Sequence, residues 1–458
     1  MTTPPAPSRS GPTLNPRVQI IYRPLEDLTE DPRNPRVHSP RQIRQLARSI
    51  EAFGFNVPVL VDGAGQIIAG HGRLQACHLL GWTEVPTLAL EHLTEAQAKA
   101  FQIADNRLTE LSTWDDRLLA EQLKSLSAVD LGFSLEATGF EMGEIDLRIE
   151  GLEEKAAAPD PADALPSVPA RPPVTRPGDL WCLGPHRLLC GNALEASDLD
   201  ALMDGTRAAL VFTDPPYNVP IDGHAVGNGR IHHADFAMAC GEMDEAAFTA
   251  FLAEVFRGLA RHSAANALQY VCMDWRHLPE VLAAGRQVAW SLRNLCVWVK
   301  DNAGMGSFYR SQHELVLVFQ NGTGTHQNHV QLGRFGRNRS NVWRYPGVNS
   351  FGRTTEEGNL LALHPTVKPV ALVADALLDA SRRGETVLDP FLGSGTTLLA
   401  AERVGRVAFG LELDPGYVDT AIRRWQAWTG GEALRADGRS FADLEREAAG
   451  PEDGADGR

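Results

Sequence analysis

Cysteine is scarce. Six occur in 458 residues, at Cys77, Cys182, Cys190, Cys240, Cys272 and Cys296, and no two form a CxxC pair. That spacing excludes a zinc ribbon or a disulfide framework and suits small buried hydrophobes in a reducing compartment, so no metal site is expected. Long apolar runs are lacking as well. No stretch approaches the ~20 residues of a bilayer span, and the opening MTTPPAPSRSGP has no signal-peptide core. A cytoplasmic, non-membrane protein is expected. Positive charge is in deficit, with 43 Lys+Arg against 58 Asp+Glu and a net charge of -15. A chain-wide basic coat is excluded, so any nucleic-acid contact must use a local patch. What remains, 43% hydrophobic and 22% charged, is ordinary globular composition, long enough for two or three domains.

Residues 1–16, rich in Pro, Ser and Thr, are expected to be disordered. Residues 17–127 form a first domain. The strand VQIIY leads to a helix in SPRQIRQLARSIEAFGF, with Ser39 as cap, Pro40 in its first turn and Ile43, Leu46, Ala47 and Ile50 on one face. PVLVDGAGQIIAG reads as a hairpin, and a second helix starts near Gly72 and stops at Gly81. Two further helices follow Thr94 and Thr113, each a candidate cap. Residues 128–158 form a helical, acidic extension. Residues 159–177 carry Pro159, Pro161, Pro166, Pro169, Pro172, Pro173 and Pro177, and are expected to form an extended tether spanning about 60 Å. Residues 178–430 alternate apolar runs (AALVF, ALQYVCM, NLCVWVK, ELVLVF, TVLDPF, VAFGLEL) with helical stretches. Unbroken apolar strands predict an α/β, doubly wound parallel sheet covered on both faces. Residues 431–458 read as a frayed acidic tail.

Two segments carry the chemistry. TDPPYN (Thr213 to Asn218) and LDPFLGSGTT (Leu388 to Thr397) each follow a buried strand, which places both at the carboxyl edge of the sheet, where open α/β folds bind ligands. Gly393 and Gly395 let backbone approach a ligand, and a helix starting near Thr396 offers its positive end. Glu412 follows Gly393 by 19 residues, the spacing of an acid that holds ribose hydroxyls. A phosphate-binding P-loop is excluded because no Lys follows the glycines, and Leu398 stands where a dinucleotide motif needs its third glycine. By itself the Gly turn could equally be an ordinary left-handed turn. Asp-Pro-Pro-Tyr is more specific. Its two prolines fix the backbone and withhold N–H donors, Asp214 adds an acceptor and Tyr217 a stacking face. Acceptors beside a ring suit an exocyclic amino group on a planar base.

Across about residues 176–430 these segments resemble the amino-directed DNA methyltransferases that use S-adenosylmethionine (AdoMet), in the permuted order with the catalytic segment first. The resemblance implies a Rossmann-like methyltransferase sheet. It implies that Asp214, Pro215, Pro216 and Tyr217 are catalytic, with Asp214 and the Pro215 carbonyl accepting amino hydrogens and Tyr217 stacking on an extruded base. It also implies a cofactor site of Asp389, Phe391, Gly393, Ser394, Gly395, Thr396 and Glu412. Gly191-Asn192-Ala193 stands where the family has Gly-Asp-Ala, so Asn192 keeps an acceptor without the charge. HPTVKP resembles the segment at the methionine end of AdoMet, with Thr366 and Lys368 as contacts. WVKDNAGMGSFYRSQHELVLVF resembles the central strands and the loop near the target pocket. Asp at the head of the tetrad resembles the adenine-N6 branch more than the cytosine-N4 branch.

Sequence readout is expected from Gln331 to Arg353, which has Arg334, Arg337, Arg339, Arg344 and Arg353, no acid, and interleaved aromatics. Arginine suits phosphates and guanine edges, and aromatics suit unstacked bases; a merely solvated loop is the alternative. In the first domain DPRNPR, the helix entering GFNVPVLV, and AGHGRLQA resemble the small α+β ParB-like N-terminal fold, related also to sulfiredoxin. That resemblance implies nucleotide or DNA phosphate binding at Gly70, His71, Gly72 and Arg73, although the motif is GHGR and not the GERR of chromosome-partition proteins. The expected protein is a ParB-like domain joined to an AdoMet-dependent adenine-N6 DNA methyltransferase. Two alternatives stay open: cytosine-N4 methylation, and a DNA-binding regulatory or partition protein whose methylase half only binds.

Overall fold

A computed structural model of the protein describes residues 19–152, 160–163, 172–218, 241–301, 303, 308–330, 333, 337–347 and 367–449. The expected disordered start, Arg334, Arg353 and Thr366 lie outside the described residues. The chain divides into two compact units, Met1–Leu152 and Glu153–Arg458.

The first unit contains β1 (Ile20–Pro24), α1 (Pro40–Phe53), β2 (Val59–Val61), β3 (Ile67–Ala69), α2 (His71–Leu80), β4 (Glu84–Ala89), α3 (Glu95–Glu110), α4 (Asp116–Ser127) and α5 (Met142–Glu150). Its four strands are ordered β1-β4-β2-β3. Ser39 caps α1 by accepting from the Gln42 N–H, and Pro40 sits in the first turn. Ala47 and Ile50 are buried with Val59, Val61, Leu74 and Val85 in one core. A capping box of Thr94 and Gln97 starts α3. The cap of α4 is Asp115 and not Thr113, because the Asp115 carboxylate accepts from the Leu118 N–H at 2.9 Å. Helices α4 and α5 share a small core of Leu119, Leu123, Leu135, Ile145 and Ile149.

The second unit contains β5 (Leu180–Leu183), β6 (His186–Cys190), α6 (Ala196–Met203), β7 (Ala208–Thr213), α7 (Glu245–His262), β8 (Ser263–Met273), α8 (Leu278–Gln287), β9 (Ser291–Val299), β10 (His313–Gln320) and β11 (Val342–Arg344). It continues with α9 (Val370–Ala380), β12 (Thr386–Asp389), α10 (Thr396–Val404), β13 (Val407–Glu412), α11 (Pro415–Thr429), β14 (Ala433–Arg435) and α12 (Phe441–Ala449). Ten strands form one sheet, ordered β11-β9-β10-β8-β7-β12-β13-β6-β5-β14. Helices α9, α10 and α11 pack on one face, where Leu210, Phe212 and Val387 point. Helices α6, α7 and α8 pack on the other, against Val211, Leu388 and Leu411. The doubly wound layering is thus present, but the sheet is mixed: β10 runs antiparallel to both β8 and β9. NLCVWVK and ELVLVF pair as antiparallel neighbours, and an apolar run buried on both faces, as β10 is, reads alike in either direction.

Two further expectations are corrected. The stretch 159–177 is no free tether in its described parts. Asp160 pairs with Arg403 at 2.6 Å, Asp163 accepts from the Val370 N–H at 2.8 Å, and Asp419 accepts from Val174 and Thr175 at 2.8 and 3.1 Å. Proline fixes the stiffness of this stretch, while its acids and N–H groups still find partners on the domain. The tail is also built in as far as residue 449. Strand β14 pairs with β5, and the buried Phe441 meets Trp181 edge-on with ring centroids 5.4 Å apart.

Candidate active site

Strands β7, β12, β13 and β6 are mutually parallel neighbours, with Val211 opposite Leu388, Asp389 opposite Gly410, and Glu412 opposite Cys190. Their carboxyl ends therefore release Asp214, the Gly393–Gly395 turn, Glu412 and Asn192 along one edge. The convergence that the sequence requires is a consequence of strand order.

Asp214 leads out of β7 into a buried charge cluster. Tyr217 Oη donates to Asp214 Oδ1 at 2.5 Å, and Lys368 Nζ donates to Asp214 Oδ2 at 2.5 Å. Lys368 also reaches Tyr217 Oη and Glu314 Oε2, each at 3.1 Å, and Lys300 holds Glu314 Oε1 at 2.5 Å. Burial raises the pKa of Asp214, Lys368 opposes the rise and Glu314 adds to it. Burial would likewise raise Glu314, but Lys368 and Lys300 hold it down at about 2. Burial disfavours the Lys368 charge, yet Asp214 and Glu314 together lift its pKa above the ordinary value. The result is one fixed anion, one fixed cation and one carboxyl poised to change. Asn218, the last residue of the TDPPYN segment, sits at φ 53°. Its amide clamps the returning chain, accepting from Gly241 N at 3.0 Å and donating to the Met243 carbonyl at 2.7 Å.

The neighbouring turn is held by its own acids. Thr397 Oγ1 donates to Asp389 Oδ2 at 2.6 Å, and Phe391 N donates to Oδ1 at 3.1 Å. Glu412 accepts from Gly393 N at 2.8 Å and from Asp414 N at 2.9 Å. Burial lifts Asp389 and Glu412 each to about 7, against these hydrogen bonds. Gly395 caps α10 at φ 90°, and a Cβ there would lie 2.8 Å from Ala421 Cβ, so only glycine fits. Arg424 binds the Ser394 carbonyl and hydroxyl at 2.8 and 3.0 Å, which fixes the turn. Thr396 opens α10. Asn192 closes a local turn by accepting from Leu194 N at 3.0 Å.

Several expected sites are relocated. Lys368 sits among the tetrad residues, where its ammonium donates to Asp214 and Tyr217 and pairs with Glu314. Arg337 and Arg339 are not free for DNA. Arg337 pairs with Asp375 and Asp379 at 3.3 and 2.9 Å, and Arg339 with the same acids at 2.7 and 2.9 Å, so both brace this segment on α9. Arg344 is exposed. Glu314 and Lys300 escaped the sequence reading. Their one signal is an acid and a base bounding the apolar runs that face each other across the hairpin.

In the first unit Gly70, His71, Gly72 and Arg73 line a cavity of about 180 Å³, together with Arg36 and Asp105. Gly70 caps α2 at φ 111°. A Cβ on Gly72 would lie 3.0 Å from Leu46 and 3.1 Å from the His38 ring. Burial lowers the pKa of His71, which keeps the ring neutral.

Comparison with known proteins matches separate parts of the chain to different families. A profile described as DNA methylase matches residues 208–423, one described as ParB N-terminal domain matches 14–107, and one described as ParB-methyltransferase HTH domain matches 117–177. The ParB-like nuclease domain-containing protein YnaK of Escherichia coli (strain K12) is 44% identical over 84 residues, 18% of this chain and 97% of that protein. The type II methyltransferase M.HpaI of Haemophilus parainfluenzae is 25% identical over 253 residues, 52% of this chain and 74% of that one. Among solved structures, the PvuII DNA methyltransferase (cytosine-N4-specific) is 16% identical with a TM-score of 0.40, covering 56% of this chain and 89% of that one. The chain belongs to the ParB-like family through its N-terminal domain, and it joins to that domain a DNA methylase of the N6/N4 family.

Proposed function

We propose that the protein transfers the methyl group of AdoMet to the exocyclic N6 of adenine in DNA. The observation that carries this reading is the adjacency of β7 and β12, which sets Asp-Pro-Pro-Tyr beside the Gly393–Gly395 turn. The residues present fit the cofactor. Glu412 accepts from the Gly393 and Asp414 N–H groups, with the Leu413 N–H close by, and its two oxygens keep acceptor capacity for a ribose hydroxyl. Asp389 adds negative charge beside a group that is cationic. Bound AdoMet supplies an electrophilic methyl group on a sulfonium.

The chain's own residues do the rest. The target base leaves the stack at a cost of a few kcal/mol, and Tyr217 offers it a face. Asp214 and the Pro215 carbonyl accept the amino hydrogens and localise the nitrogen lone pair. On accepting the methyl group the amino nitrogen would shed a proton. Asp214, its pKa raised by burial, is placed to take it, while Lys368 and Glu314 keep their charges. An aspartate at the head of the tetrad favours adenine. In the ParB-like domain, the cavity around Gly70 and Arg73 is a second site, for a nucleotide or DNA phosphate at the positive end of α2.

The test is incubation with labelled AdoMet and mixed-sequence DNA, followed by mass spectrometry of the nucleosides. N6-methyladenine is expected. N4-methylcytosine would replace the adenine assignment, and no labelled base would leave a binding protein whose methylase half is inert.

A further inference from the structure

We propose that residues 308–310, which lead toward β10, are a wedge that enters the DNA base stack where the target nucleotide leaves it, with Phe308 and Tyr309 as the inserted rings and Arg310 on the adjoining phosphate. This inference rests on the reading of the site as one that modifies a base in DNA.

Thr213 of β7 lies opposite Val271 of β8, Val271 opposite Leu317 of β10, and Leu317 opposite Leu295 of β9. Four residues further along β9, Val299 pairs with His313, and the hairpin closes through Lys300 N to the Gln312 carbonyl at 3.0 Å. The loop therefore leaves the sheet at the edge that holds Asp214. Its base touches the tetrad directly, since Glu314 lies 3.3 Å from Tyr217 Oη. Tyr309 is three residues from Gln312, a reach of about 10 Å for extended chain.

Phe308 and Tyr309 are 85% and 82% exposed, the second and third most exposed of the protein's described large hydrophobics. They meet edge-on, ring centroids 4.5 Å apart, and neither belongs to a hydrophobic cluster of the domain. Arg310 beside them is exposed and has no carboxylate partner among the described residues. On a chain of net charge -15, an uncompensated cation joined to two bare rings complements an anionic polymer of stacked bases. A third ring, the half-exposed Trp275, follows β8 at the same edge. Apolar wedges between base steps offset the cost of unstacking, and each base–aromatic stack contributes enough to change a rate severalfold or more.

The test uses the full-length chain with Phe308→Ala and Tyr309→Ala combined, on duplexes whose target base has been located by mass spectrometry. On a fully paired duplex kcat/KM should fall about 10- to 100-fold. On the same duplex with the target base mismatched, already loosened, the fall should shrink to less than about threefold. AdoMet affinity and melting temperature should stay at wild-type values. Equal losses on both duplexes would mean that the rings pack within the enzyme, and no loss on either would mean that they do nothing; each overturns the wedge. Arg310→Ala should make the salt dependence of DNA binding shallower by about one unit of slope, and an unchanged slope removes the phosphate contact. A wild-type protein that methylates no DNA would instead overturn the underlying function.

Discussion

Replacing Lys368 by methionine separates two roles for one residue. Its position in HPTVKP suggests a hand on the cofactor, whereas the structure puts its ammonium on Asp214 at 2.5 Å and on Glu314 at 3.1 Å, with only 4% of the side chain exposed. A charge-assisted hydrogen bond is worth about 1.5–3 kcal/mol. Loss of the bond that aims Asp214 should therefore lower kcat roughly 10- to 100-fold. Removing one partner of a buried pair also costs stability, typically about 3–5 kcal/mol. Asp214 can limit that loss by binding a proton. Lys368 lowers the Asp214 pKa and Glu314 raises it. The acidic limb of kcat against pH should thus move to higher pH in Lys368→Met and to lower pH in Glu314→Gln. Steady-state transfer of labelled methyl across pH 5.5–9 (roughly the span in which a raised carboxyl titrates), with AdoMet affinity measured by calorimetry, gives both readouts. A Lys368→Met protein with kcat intact and AdoMet binding weakened tenfold would refute the reasoning, as would limbs that move in the same direction.

The carboxyls of Asp389 and Glu412, lifted to about 7, hold protons in the folded chain that the unfolded chain has already lost above about pH 4. Stability from these groups is therefore complete at low pH and is lost as pH rises through 7, by about 1 kcal/mol each between pH 6 and 8, read from urea melts. AdoMet binding, which uses the ionised forms, should tighten about tenfold per group over the same interval, with proton release seen as a buffer-dependent heat. Arg337→Met should lower the melting temperature by breaking the Asp375–Asp379 brace while leaving the salt slope of DNA binding unchanged; a shallower slope would restore its DNA role. Arg73→Ala should abolish binding of a nucleoside triphosphate to the first domain, followed by equilibrium dialysis, and persistent binding would remove the cavity at Gly70 from that role.

The parts of the site that were legible in the sequence are those whose chemistry is local. Asp214 and Asp389 stand at the ends of apolar strands, and glycine at 395 is demanded by a positive φ and by the closeness of Ala421. Strand-end position follows from the chain itself, and the edge they share follows from parallel order. What escaped notice depends on partners distant in sequence. Glu314 and Lys368 lie 54 residues apart, and the lone acid that opens ELVLVF reads as an exposed strand end until its lysines arrive. Arg337 and Arg339 sit in a stretch without acids, so they read as free cations, yet Asp379 waits 42 residues onward from Arg337 on α9. The direction of β10 was hidden for another reason, since burial on both faces erases the alternation that would have marked an antiparallel strand.

Asp214, Asp389 and Glu412 are all pushed toward neutrality by burial, and only Glu314 is held as a permanent anion, by two lysines. The carboxyls assigned to substrate and cofactor are thus the ones left without a full cationic counterweight from the protein. Lys368 stabilises one oxygen of Asp214, and no lysine or arginine pairs with Asp389 or Glu412 among the described residues. Such an edge is less stable alone than it would be beside a cation. A ligand that brings positive charge and hydroxyl donors relieves the deficit at both turn acids, and an amino group brings donors to Asp214. Site and ligand are matched here by what the fold withholds as much as by what it supplies.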